Sequence, residues 1–79
     1  MEANEIQALI EQGIEGAQAI VQVDGNKCQV IVVSELFAGM RPVKKQQMVY
    51  ACLNEHIQAG TIHAVSMHTW TPAEWAEQQ

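Results

Sequence analysis

His63, in the run Thr61-Ile-His-Ala-Val-Ser-Met67, and Cys28, just after Asp24-Gly-Asn-Lys27, are the side chains of this sequence best suited to chemistry. A neutral imidazole binds metals and titrates near neutral pH. A thiolate is a soft ligand for zinc or for iron-sulfur centres. The two residues are 35 positions apart, so their spacing defines no motif and only the fold can join them. Together they supply two ligands, whereas structural zinc sites and iron-sulfur clusters are held by four. The other two must come from a second molecule, which makes a metal site shared at a partner interface more natural than a private one. The plainer alternatives are a strand histidine satisfied by backbone or water and a small buried cysteine.

The remaining candidates are weaker. His68, five positions after His63 on an extended strand, points to the opposite face. His56 and Cys52 belong to a long helix, His56 at the boundary of its apolar face and Cys52 toward its polar side. Trp70 and Trp75 are expected to pack the final helix on the sheet. No Gly-rich phosphate loop, HExxH helix or nucleophile elbow is present, so catalysis by this chain is not expected.

These groups need elements to position them. Ile6, Leu9, Ile10 and Ile14 recur at helical spacing and predict an amphipathic helix over residues 3–14. Gly13 and Gly16 break it, and Ala17 to Val23 reads as a first strand. Asp24-Gly-Asn26 is a hairpin turn, placing Lys27 and Cys28 at the loop exit, where the thiol can be accessible. Cys28 to Val33 is a second, well-buried strand, and Ser34 ends it before a short helical turn over residues 35–38. From Pro42 a helix runs to about Ala59, with Val43, Val49, Tyr50, Leu53 and Ile57 on a broad apolar face and Gly60 as its stop.

The histidine strand follows, with Ile62, Ala64 and Ser66 on one face and His63, Val65 and Met67 on the other. Thr71-Pro-Ala-Glu74 then carries both the capping-box spacing and a proline in the first turn of a helix. The order α-β-β-α-α-β-α, with a hairpin and a right-handed helical crossover, predicts a two-layer α+β domain. Its mixed three-stranded sheet has the helices on one face. Residues 1–79 read as one domain, without repeat or linker.

The formal net charge of −5 argues against nucleic-acid binding by bulk electrostatics. Arg41, Lys44 and Lys45 nevertheless fall within five positions and form a local basic patch, which is otherwise a solvated helix start. The longest apolar run, Val30 to Val33, is far short of the ~20 residues that cross a bilayer, and Glu2 and Glu5 open the chain where a secretory signal is basic. A cytoplasmic protein with two free thiols and no membrane association is expected.

Phe37-Ala-Gly39, Lys44-Lys-Gln-Gln-Met-Val-Tyr50, Ile62-His-Ala64 and Thr71-Pro-Ala-Glu-Trp75 together resemble the BolA family over nearly the whole chain. The resemblance implies a fold like the class II KH domain. It also implies an adaptor that pairs with a monothiol glutaredoxin in iron-sulfur trafficking or in iron, redox and stress regulation. The two proteins share a 2Fe-2S cluster whose other side is held by the glutaredoxin cysteine and glutathione, and the isolated chain carries none. By motif, His63 is the family's C-terminal histidine ligand, and Cys28 lies in the variable loop where other members place a Cys or His. Many members carry Arg-His where this chain has Lys45-Gln46. A nucleic-acid-gripping KH domain uses GxxG, but Gly39-Met-Arg-Pro42 lacks the second glycine. A DNA-binding regulator using Arg41, Lys44 and Lys45 is the alternative that the resemblance leaves open. The isolated chain is expected to be a monomer, with a weak homodimer as the other outcome.

Overall fold

The computed structural model describes residues 2–25, 27–62 and 64–78. Helix α1 spans Ala3–Gly13, strand β1 Gln18–Asp24 and strand β2 Lys27–Val33. A 3-10 turn over Glu35–Phe37 leads to helix α2, Pro42–Gln58, then strand β3, Ala64–Trp70, and helix α3, Pro72–Gln78. The sheet order is β1-β2-β3, antiparallel in the hairpin and parallel between β2 and β3. This is the mixed α+β arrangement expected from the sequence.

Alternation along the strands separates two faces. Ala19, Cys28, Val30 and Val32 are buried with Ile6 and Ile10 of α1 and Val49 and Leu53 of α2, each helix contributing an i, i+4 pair. Val65 and Met67 pack against the same core. Gln22, Gln29, Ser66, Ile20, Ile31 and His68 line a shallow hollow on the other face. Phe37 from the 3-10 turn and Ile62 just before β3 complete the core, with 0% and 4% exposure.

Local signals act where they were read. Gly60 terminates α2 with φ +79°; its N–H donates to the Ile57 carbonyl (3.2 Å), and Thr61 N–H donates to that of His56 (3.0 Å), the paired bonds of a Schellman motif. Thr71 caps α3: its Oγ1 accepts from Glu74 N–H at 3.2 Å, while Glu74 Oε1 accepts from Thr71 N–H at 2.8 Å. Buried Ser34 ties three segments together. Its Oγ donates to the Glu15 carbonyl (3.1 Å) and accepts from Leu36 N–H (3.2 Å), and its own N–H donates to the Trp70 carbonyl (3.0 Å).

Two expectations change. Val43 and Tyr50 are 64% and 42% exposed, because α1 covers a narrower stripe of α2 than the helical wheel allowed. Cys52, expected toward the polar side, is half-buried against the core, and its sulfur lies 2.6 Å from where a side chain would begin at Gly13 of α1. Trp70 is the last residue of β3, and its ring stacks on His68 with centroids 6.3 Å apart.

Candidate functional site

The parallel ladder between β2 and β3 pairs Lys27 with Ala64 and Cys28 with Val65. The hairpin exit and the first residue of β3 therefore share one end of the sheet. Such adjacency needs a crossover, which the 3-10 turn and α2 provide. His63 itself lies outside the described residues. Its chain neighbour Ala64 fixes only that the strand following it begins beside Lys27.

Cys28 is described, and its setting differs from the accessible loop thiol expected. It is the second residue of β2, 4% exposed, and its side chain belongs to the hydrophobic core. Burial raises its pKa, because the charged thiolate loses solvation there. The physical reason is parity. Lys27 takes the position facing away from the helices, so Cys28 must face them. An imidazole and a thiol remain suitable donor types for an iron-sulfur centre, but this thiol fits as a ligand only if it turns out of the core.

The other candidates lie elsewhere. His68 is exposed, four residues along β3 from Ala64, or about 13 Å at strand rise. It sits opposite Ile31, near the middle of the sheet. His56 is half-buried in the last turn of α2, beside Glu5, Leu9 and Gln12 of α1. Cys52 donates to the Met48 carbonyl at 3.4 Å, and burial raises its pKa as well. Among the described residues, no three His, Cys, Asp or Glu side chains are grouped to hold a metal ion.

The basic cluster is divided. Arg41, the residue before α2, and Lys44 are exposed, whereas Lys45 is half-buried and close enough to Glu74 to help lower its pKa. The larger causes of that lowering are the hydrogen bonds from the Thr71 backbone and hydroxyl. Among the described residues, no helix is long and apolar enough to cross a membrane.

Sequence reasoning also missed Glu11. Its carboxylate leaves α1 to accept from the Ala19 N–H on β1 at 3.0 Å, eight residues away. No periodicity announces such a bond, because it depends on where α1 crosses the sheet edge.

Residues 13–74 match the family described as BolA-like protein. The acid stress protein IbaG of Escherichia coli K12 is 51% identical over 76 residues, covering 96% of this chain and 90% of that protein. The solved structure of a BolA protein homologue from Coxiella burnetii superimposes with a TM-score of 0.85 at 30% identity, covering 96% of this chain and 97% of the other. A Vibrio cholerae protein named DNA-binding transcriptional regulator BolA is 45% identical over 49 residues, 62% of this chain and 45% of its own length.

Proposed function

The chain belongs to the BolA family, and on that footing we propose that it is a non-enzymatic cytoplasmic adaptor. It binds a monothiol glutaredoxin and co-ligates a 2Fe-2S cluster, in iron-sulfur trafficking or in iron, redox and stress regulation. The observation that supports this reading is the parallel register of Lys27 with Ala64, which brings the hairpin exit and the strand after His63 to one end of the sheet. In the proposal His63 is one ligand and Cys28 the second. The glutaredoxin cysteine and glutathione supply the other two, so that neither protein holds the cluster alone.

Imidazole ligation raises the potential of such a cluster relative to an all-thiolate set. This chain's contribution is an imidazole that must be neutral to bind, so ligation weakens as the pH falls through the range where histidine protonates. Cys28 has a further requirement. Its thiol is protonated and faces the core, so its ligation requires the hairpin end to open.

The test is anaerobic reconstitution of the chain with a monothiol glutaredoxin, glutathione, iron and sulfide, followed by visible circular dichroism. His63→Ala is expected to change the spectrum; an unchanged spectrum removes the histidine from the ligand set. Equal complex formation with and without an iron chelator would reduce the role to protein docking.

A DNA-binding regulator is the second reading, favoured by the name of the Vibrio relative and by exposed Arg41 and Lys44. It predicts affinity that falls with salt and with Lys44→Ala. No retention of a DNA duplex at low salt would remove it.

A further inference from the structure

Two hydrogen bonds fix the direction of every peptide group in the sheet. Ser34 N–H donates to the Trp70 carbonyl, so the even-numbered residues of β2 turn their N–H and C=O toward β3 and the odd-numbered ones toward β1. In the hairpin, Ile31 and Gln29 therefore bond Ile20 and Gln22, while Ala19, Val21 and Val23 direct their backbone groups out of the sheet. The Ala19 N–H confirms the parity, because it is met from outside by Glu11. Val21 and Val23 have no such cap among the described residues. Edge strands are commonly blunted by Pro or Lys, and β1, Gln-Ala-Ile-Val-Gln-Val-Asp, contains neither.

We propose that the outer edge of β1 at Val21–Val23 accepts an extended segment of another protein as a fourth, antiparallel strand, a segment of alternating β-branched residues with a basic residue at its C-terminal end. β-branched side chains on both faces of the segment match the exposed Ile20 (44%) and Val23 (41%), which lie on opposite faces beside the edge. Glu11 sets the register by closing the Ala19 end to further pairing. Because an antiparallel peptide runs against β1, its C-terminal end meets Glu11, where a Lys or Arg is complementary.

A second copy of the chain is the poorer occupant. Pairing about a twofold axis at Gln22 would bring Glu11 of each copy toward Asp24 of the other, with a net charge of −5 on both. The opposite sheet edge, β3, has no carboxylate capping a backbone N–H among the described residues, and its beginning belongs to the proposed cluster site. The β1 edge is separated from β3 by β2, although Val23 lies directly opposite Cys28.

The probe is acetyl-Thr-Val-Thr-Val-Thr-Lys-amide, titrated into the full chain and followed by amide proton–nitrogen spectra and hydrogen exchange. Saturation should shift the Val21 and Val23 amides and slow their exchange about tenfold or more, with the first residue of β2 and the β3 amides little affected. A peptide methylated on alternate backbone nitrogens so that its inward-facing donors are lost should bind at least tenfold more weakly. Moving Lys to the N-terminal end, or replacing it by Glu, should weaken binding several-fold. Val23→Pro, which removes one outward N–H at an edge position where proline is tolerated, should abolish the shifts. The proposal is overturned if the shifts centre on Val65, Met67 and Thr69, if methylation of neither alternate set weakens binding, or if the peptide produces no shifts. It is also overturned if Val21 and Val23 become protected with rising protein concentration and no peptide.

Discussion

Cys28 and Val65 stand opposite each other across the parallel β2–β3 ladder, and both side chains turn toward the helices. The thiol is thereby a packing group in the free protein. Cys28→Ser should cost about 1–3 kcal/mol, since a hydroxyl in that apolar setting lacks a ready partner. Alkylation by iodoacetamide should be markedly slower in the folded chain than in urea. Because burial raises the thiol's pKa, its contribution to stability is complete below the ordinary thiol pKa and is lost as the pH rises through the folded value. Denaturation midpoints of wild type and Cys28→Ala across alkaline pH check the sign.

Gly13 and Cys52 form a close crossing between α1 and α2. A Cβ at Gly13 would fall 2.6 Å from the Cys52 sulfur, so one of them must move. Gly13→Ala should therefore destabilise by about 1–3 kcal/mol, although alanine is the better helix former. Adding Cys52→Ala should recover part of the loss. A double-mutant cycle by urea denaturation should show a coupling of about 0.5–3 kcal/mol.

Ser34 is 1% exposed and uses its hydroxyl as donor and acceptor at once. Ser34→Ala leaves the Glu15 carbonyl and the Leu36 N–H without that partner. A loss of about 1–3 kcal/mol is expected, with faster hydrogen exchange at Leu36 as the local readout.

Thr71→Ala should remove about 1 kcal/mol of helix capping and fray α3, seen as faster amide exchange at Glu74. Glu74 is held below the usual carboxylate range, first by the Thr71 backbone bond and then by the Thr71 hydroxyl, with Lys45 adding a smaller charge effect. A lowered folded pKa gives stability that is present above the ordinary carboxylate pKa and lost as the pH falls through the folded value. Carbon-detected titration of Glu74 should move upward in Thr71→Ala, and by less in Lys45→Met.

Cluster binding separates the two proposed ligands. His63→Ala should alter the visible spectrum of the reconstituted complex even where the apo complex still forms. Cys28→Ala should alter it only if the hairpin end opens on binding, and an unchanged spectrum would restrict this chain's contribution to the histidine.

The sequence by itself determined what depends on near neighbours. Glycine at 60 ends a helix because its left-handed conformation carries little steric cost. Thr71 and Glu74 cap one because their spacing suits the reciprocal bonds. The apolar β-branched run Val30 to Val33 of β2 and the i, i+4 isoleucines of α1 likewise fixed element types and a shared core. The family resemblance was legible in the His-Ala strand and the Thr-Pro-Ala-Glu-Trp segment, and the match over residues 13–74 bears it out.

Only the tertiary structure decided which face of each element is covered. Strand parity separates Cys28 from Lys27 but does not say on which side the helices will lie, so the thiol's burial could not be read from its place after a turn. The width of the buried stripe on α2 depends on the angle and position of α1, which is why Val43 and Tyr50 face solvent while Cys52 meets Gly13. The adjacency of Lys27 and Ala64, and the outward bond from Glu11 to Ala19, join residues through a crossover and a helix-sheet packing. Such contacts are fixed by the burial of the whole core, which no local pattern contains.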